Sequence, residues 1–464
     1  MPDIRKESQK NAGPALRHIF RQGCALLAGA LIKRGCSVLL IILLCQYLSG
    51  GQVGRYLFVL SLIEIAAIAI GFGSQTIMVR AVAQGAAPRA AYSAGLGLRF
   101  FSGAATFPLL ILAAGALHGS SLLLPCAVMG AGALIAAFTE LPAAMLLGRK
   151  HMAAKSAVDA ANGLLGVGFL WIALASGWGL TGAAWAFTLR NAAVYAIMEA
   201  AGRRLTGCRP APLAPGAARA LFLEAAPIGA GLLAIALYTR WSALLLPGWI
   251  SDQAAGWFGG AWRVFELMTF IGTVLARAAF PSIAEAGGAA AGAPLVRRVL
   301  GLSLLASIPV TLGGSLLAEW LLPLVLGQEF RPSVPLLRIL CAAAPLIFVY
   351  EIMVHTLYAA GRQKRVLVVM LAGVASSLGL NIFCLGAFGL DGAAWAALAN
   401  ELLLFAAYGV LCPARGRAAP LLGALLAGGT ALLLAIAPPG AAGQAIAAAG
   451  IAAALAAGIV SIRR

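Results

Sequence analysis

Charge is scarce in this sequence. Only 10% of its 464 residues are charged, against about 25% in an ordinary soluble domain. A soluble fold of this length needs a polar surface that such a chain cannot supply. Acid is scarcer still, with 15 Asp and Glu against 33 Lys and Arg. No CxxC pair occurs among Cys24, Cys36, Cys45, Cys126, Cys208, Cys341, Cys384 and Cys412. Most of these lie inside apolar runs, so they read as small buried hydrophobes rather than disulfide partners or metal ligands. No Gly-rich loop followed by Lys is present to cradle a nucleotide, and no metal-ligand spacing occurs. Nor does any connection have the length to house a catalytic domain. The expectation is a chain with no cofactor, no metal and no catalytic residue, one that is not an enzyme.

What is present is apolar. Hydrophobic residues make up 62% of the chain. Runs near helix-spanning length recur throughout, and each can cross about 30 Å of hydrocarbon. Backbone groups in lipid must be satisfied within their own segment, so the runs predict helices. They are too long and unbroken for barrel strands. Fourteen spans are predicted between residues 22 and 461. The basic N-terminal tail precedes an apolar stretch but lacks a small-residue cleavage site, so a retained first helix is expected. The net charge of +18 invites a nucleic-acid reading. Its basic residues come in small groups between apolar runs, however, with no basic recognition face, so no nucleic-acid partner is expected.

The connections set an orientation. Twenty-three of the 33 basic residues fall in alternate loops and both tails, while the opposite loops hold only Arg55 and Arg331. The basic side is expected to be cytoplasmic, with both termini there. An internal repeat is also visible. Gly179-Leu180-Thr181-Gly182-Ala183-Ala184-Trp185-Ala186 returns as Gly389-Leu390-Asp391-Gly392-Ala393-Ala394-Trp395-Ala396. Gly148-Arg149-Lys150 has a counterpart in Gly361-Arg362-Gln363-Lys364, and Gln52 and Tyr56 match Gln253 and Trp257. The matches keep one order and nearly one spacing, and each pair starts on the same side. The expected fold is thus an all-α integral membrane protein of about 14 transmembrane helices, with two six-helix bundles related by a pseudo-two-fold axis along the membrane normal. Residues 1–201 form the first bundle, 202–220 a Pro-rich cytoplasmic linker, 221–411 the second bundle and 412–464 two additional helices. A central cleft between such bundles suits alternating access by rocking.

Four stretches give the chain a family likeness. They are Gly71-Phe72-Gly73 with Val79-Arg80; Ala255-Gly256-Trp257-Phe258-Gly259-Gly260-Ala261 with Phe280-Pro281; Gly327-Gln328-Glu329-Phe330 with Pro335-Leu336-Leu337-Arg338-Ile339-Leu340; and the Gly361-Arg362-Gln363-Lys364 block with Asn381 and the repeated octapeptide. In order and spacing they resemble the polysaccharide-transporter branch of the MOP flippase superfamily, which also holds lipid II flippases and multidrug and toxin extrusion antiporters. The resemblance implies a flippase for undecaprenyl-pyrophosphate-linked oligosaccharide, such as an O-antigen or exopolysaccharide repeat unit, in the bacterial inner membrane. It also implies membrane lipid, a proton or sodium, and a glycan polymerase or export machinery as partners. The chain departs from the branch in helix 7, where Arg240-Trp241 stand in place of the acid that members often carry.

Eight basic residues lie within the predicted spans: Lys33, Arg34, Arg99, Arg190, Arg240, Arg263, Arg277 and Arg338. A charge at mid-bilayer costs about 2.5–3.5 kcal/mol on insertion scales, so it faces a cavity or a partner. Arg277, Arg338 and Arg99 lie near span ends, where a long side chain snorkels to the interface, and snorkelling is the reading for Arg99. Arg263 and Glu266 are three apart and can pair on one helix face, with Phe270 and Arg277 on the same stripe. That stripe is either a cavity wall that binds pyrophosphate or an internal salt bridge that fixes packing. The substrate-cavity candidates are Lys33, Arg34, Arg80, Arg240, Trp241, Arg263 and Arg277. Glu64 and Glu266 hold nearly equivalent places in the repeats and are the candidates for ion coupling. Glu351 and His355 share a face as a relay or, better, a structural pair. Two other readings remain at this stage. One is an ion-coupled multidrug or metabolite antiporter, whose pockets favour acids. The other is a membrane glycan polymerase or ligase, which needs a larger periplasmic loop.

Overall fold

The computed structural model describes residues 29, 32–207, 215–285, 293–412, 418–436, 455–456 and 459–460. The N-terminal tail, Cys24, Cys208, the 413–417 connection and most of the predicted span 442–461 lie outside the described residues. Everything described between the turns is helix. In chain order the helices are α1 (32–47), α2 (Gly50–Gly71), α3 (Ser74–Ala83), α4 (Pro88–His118), α5 (Leu123–Gly148), α6 (Met152–Ala175) and α7 (Gly179–Thr206). They continue as α8 (Pro215–Trp249), α9 (Asp252–Glu285), α10 (Ala293–Leu326), α11 (Ser333–Cys341), α12 (Ala344–Ala359), α13 (Gln363–Phe388), α14 (Leu390–Leu411) and α15 (Ala418–Ile436). The basic stretch 202–220 is helical at both ends, since α7 continues to Thr206 and α8 begins at Pro215.

Among the described residues nine helical stretches are long and apolar enough to cross a membrane, and ten if the bent pair α11–α12 is one span. That pair bends by 43°. α7 is long enough but carries Arg190-Asn191 in its middle, and it is not among the nine. Large apolar side chains such as Leu112, Phe383 and Val410 point outward, as a hydrocarbon solvent requires of a polytopic helical protein.

The chain divides into two compact units. The first holds Met1–Leu43 and Leu62–Leu233, the second Leu44–Ser61 and Ala234–Arg464. Both divisions run through helices. α2 belongs to the second unit at its start and to the first from Leu62 onward. α8 belongs to the first unit up to Leu233 and to the second beyond it.

In the first unit, α5 packs on α7 and α4, and α6 packs on α7. Met78, Tyr92, Leu98, Leu141 and Met145 form a core that also takes Ala218, Leu221 and Ala225 from α8. The break between α2 and α3 follows from Gly71-Phe72-Gly73. Phe72 and Gly73 both take positive φ, 44° and 70°, and Ser74 Oγ donates to the Gly71 carbonyl at 2.6 Å. A Cβ on Gly73 would meet Ile228 Cγ2 at 2.8 Å. Phe72 stacks on Phe222 with centroids 4.8 Å apart.

In the second unit, α9, α10 and α12 pack together, α13 packs on α14, and α15 lies against α10. The start of α2 docks here by a close crossing with α9. A Cβ on Gly54 would fall 1.7 Å from the Asp252 carbonyl oxygen, and one on Gly256 would fall 2.2 Å from that of Gly50. Glu329 Oε1 accepts the Gly50 N–H at 2.7 Å, which satisfies one orphan donor of the α2 N-terminus. Arg55 pairs with Asp252 at 2.7 Å, and the Trp257 indole donates to the Glu329 carbonyl at 2.9 Å.

The repeated octapeptide has one local structure in both copies. It opens α7 and α14, with Gly179 at φ 56° and Gly389 at φ 57°. Gly182, Ala183, Ala184 and Ala186 are buried, as are Gly392, Ala393, Ala394 and Ala396. Small side chains let each helix start lie close to the helix before it.

Candidate functional site

The candidate residues divide between the units. Lys33, Arg34, Glu64 and Arg80 belong to the first, and Arg240, Trp241, Arg263, Glu266 and Arg277 to the second.

In the first unit, α1 approaches α6 where a Cβ on Gly163 would meet Cys36 Cβ at 2.9 Å and Lys33 Cα at 3.3 Å. Lys33 is exposed and Arg34 half-buried. Lys33 lies in the field of Asp159, Lys155 and Arg190, and Lys155 itself pairs with Asp159. Arg190 stacks over the Phe187 ring with its guanidinium carbon 4.7 Å from the centroid. Glu64 is half-buried in α2. Arg80 is half-exposed and forms an ion pair with Glu224 of α8.

Arg99 does not snorkel. It is wholly buried, with 0% of its surface exposed. Its Nε donates to the Ala137 carbonyl at 2.6 Å, and its other nitrogens reach Ser74 Oγ at 3.2 Å, the Gly95 carbonyl at 3.3 Å and Glu140 Oε2 at 3.0 Å. The face of α4 that carries Arg99 packs on α3 and α5, so distance from a helix end was no guide to its surroundings. Arg338 is likewise engaged, with Glu319 at 2.9 Å and the Ser315 carbonyl at 3.2 Å.

In the second unit, Arg263 donates to Glu266 at 3.1 Å, and both are partly buried. The pair foreseen from the spacing exists. Trp262 beside it is flanked by Phe258 and Phe265, each at 5.8 Å. Arg240 and Trp241 are half-buried in α8, and the Trp241 Nε1 is shielded from solvent with no hydrogen-bond partner among the described residues. Its neighbour Ser242 donates to Asn381 Oδ1 at 2.7 Å.

Arg277 stands apart from these. It lines a cavity of about 370 Å³ with Glu351 and His355 of α12, under walls that include Tyr238, Tyr350 and Tyr408. His355 Nδ1 lies 2.8 Å from the Glu351 carbonyl and 3.8 Å from Glu351 Oε2. Neither Arg263 nor Arg240 lines this space, so the α9 stripe splits into an ion pair and a separate cavity residue. Glu401 lies behind two of the tyrosines. Its oxygens accept the hydroxyls of Tyr238 and, at 2.7 Å, Tyr350. Glu401 was not singled out from the sequence, because nothing near it in the chain distinguishes it from other acids in the spans. Among the described residues no cluster of three or more His, Cys, Asp or Glu could hold a metal ion.

Residues 16–335 match the profile of the family described as polysaccharide biosynthesis protein. No curated protein matches the chain in sequence. Its fold is similar to that of a lipid II flippase, MurJ, in an inward closed conformation, with a TM-score of 0.74 at 11% identity over 94% of this chain and 98% of that one. It is also similar to an inward-facing multidrug resistance MATE family transporter of the MOP superfamily (TM-score 0.64, 15% identity, 85% and 98% covered). A third likeness is to a MOP superfamily transporter from Pyrococcus furiosus, described as having a binding pocket of reverse polarity (TM-score 0.58, 13% identity, 87% and 96% covered). A profile match over more than half of the chain makes it a member of the polysaccharide biosynthesis protein family, a multi-pass helical chain by its apolar stretches that shares its fold with the flippase and transporter structures above.

Proposed function

We propose that this transporter flips a polyprenyl-pyrophosphate-linked oligosaccharide from the cytoplasmic to the periplasmic leaflet of a bacterial inner membrane by alternating access, with both termini cytoplasmic. The observation that carries this reading is the excess of base within the membrane helices. Arg240, Arg263 and Arg277 lie in helical stretches long and apolar enough to cross a membrane, Lys33 and Arg34 lie in α1, and a cation at membrane depth is costly unless it serves a partner. A diphosphate headgroup is such a partner, because guanidinium donors match phosphate oxygens in charge and geometry. Family membership supports a glycan cargo. The Arg263–Glu266 pair fits a headgroup that exchanges with Glu266, so Arg263 is held ready without remaining bare in the membrane.

The test is complementation of a deletion strain for surface glycan. Arg263→Ala and Arg34→Ala are expected to lower surface glycan at least tenfold at unchanged protein level. Normal glycan in both variants would remove these residues from the cargo path. A deletion that leaves glycan intact but raises sensitivity to cationic drugs would replace the flippase reading with an antiporter.

A further inference from the structure

Each unit holds a tyrosine hydroxyl bonded to a buried glutamate, and the two differ in what else meets the carboxylate. In the first unit, Tyr92 donates to Glu199 Oε2 at 2.9 Å, and Arg203, one turn further on, donates to Oε1 at 2.8 Å. That carboxylate is balanced by a guanidinium. In the second unit, Glu401 is only 6% exposed and takes two phenols, Tyr238 of α8 and Tyr350 of α12. The position one turn further on is Phe405. No Lys, Arg or His among the described residues forms an ion pair with Glu401. The charged neighbour bearing on it is another acid, Glu351. An ionised carboxylate with phenols but no cation is poorly compensated in a low-dielectric interior.

Tyr238 and Tyr350 also face the 370 Å³ cavity. That volume has room for several waters among polar partners. The two phenols therefore stand between a solvent-sized space and a buried acid. The titratable groups around this space are Tyr238 from α8, Arg277 from α9, Tyr350, Glu351, His355 and Tyr358 from α12, and Tyr408 from α14, while α13 contributes only Met370 and Gly373.

We propose that Glu401 is a proton-loading site, filled from the cavity through Tyr238 or Tyr350, and that, if the chain is the transporter inferred above, this is where a proton acts on transport. In one relay a hydronium in the cavity gives a proton to a phenol oxygen as that phenol gives its own proton to a Glu401 oxygen, which leaves neutral water, a neutral phenol and a neutral carboxyl. The ionised carboxylate only accepts, which lets both phenols donate at once. The protonated carboxyl carries a donor of its own, so one phenol must turn to accept or let go. Loading thus loosens a tie among α8, α12 and α14. Tyr238 lies just past Leu233, where α8 leaves the first unit for the second.

The experiment is pH-difference infrared spectroscopy on the purified full-length chain in lipid nanodiscs. A carboxyl C=O band that titrates in the wild type should vanish in Glu401→Gln and persist in Glu351→Gln and His355→Gln. Tyr350→Phe removes one donor to the ionised form, so the midpoint should move up by about one pH unit. This variant keeps the test open if Glu401→Gln fails to fold. A band that survives Glu401→Gln, a midpoint unmoved in folded Tyr350→Phe, or a band governed by sodium at constant pH would each overturn the proposal. The flippase reading falls separately, on intact glycan in the deletion strain, and the site claim stands or falls on the band alone.

Discussion

Arg99 has no route to water and uses its donors on α3, α4 and α5. Its partner Glu140 is 44% exposed, so the cost of replacing Arg99 falls on the buried oxygens left unpaired, about 1–3 kcal/mol each. Arg99→Leu is therefore expected to lower the melting temperature of the purified protein clearly, with loss of the monodisperse peak on heating in detergent. Arg80→Ala should leave melting nearly unchanged, because its pair with Glu224 is half-exposed and such pairs are worth about 0–1 kcal/mol. If Arg99→Leu melts like wild type, its network is not a structural tie. At this scale the sequence was readable where partners are close in the chain. Arg263 and Glu266 pair as their spacing implied. Arg99 was misread because its acceptors come from Ser74, Ala137 and Glu140 on other helices, and depth along one helix says nothing about which face is covered. Glu401 escaped notice for the same reason: Tyr238 and Tyr350 are far from it in sequence.

Helices meet closely where glycine lets them, and among the described residues the crossing of α2 with α9 is the tightest such place. Both partners are glycines, Gly54 and Gly256, and a methyl group on either would collide with backbone rather than with a yielding side chain. Gly54→Val is expected to undock the start of α2, and trypsin exposure at Arg55 would report it. Gly51→Ala, with nothing within 4 Å of its Cβ, should behave as wild type. Equal protection of both variants would deny the crossing any role. Much of the element-level plan was legible, because apolar runs and the repeated octapeptide mark helices and their starts directly. The breaks at Phe72-Gly73 and between α11 and α12 were not placed, since a helix interrupted inside an apolar run keeps the composition of an unbroken one.

Over the whole molecule, the distribution of Lys and Arg argues an orientation that labelling can check. In a background with its cysteines replaced, Ser120→Cys at the end of α4 is expected to react with a membrane-impermeant maleimide from outside the cell. Arg362→Cys, before α13, is expected to react only after the membrane is opened. The reverse pattern would invert the topology and the direction proposed for transport. A different consequence follows from α2 and α8, each of which serves both units. The most obvious place to cut the gene is the basic connection between Gly207 and Pro215. The N-terminal product would lack Ala218, Leu221 and Ala225, which fill its own core, and the C-terminal product would lack the Gly50–Arg55 stretch that Glu329 and Asp252 hold. Neither half is a self-sufficient folding unit, so split genes should yield protein only when both are expressed together. Hybrids with a relative that join at this connection would graft each bundle onto a foreign helix, and interchangeable modules would have to be spliced inside α2 and α8 instead.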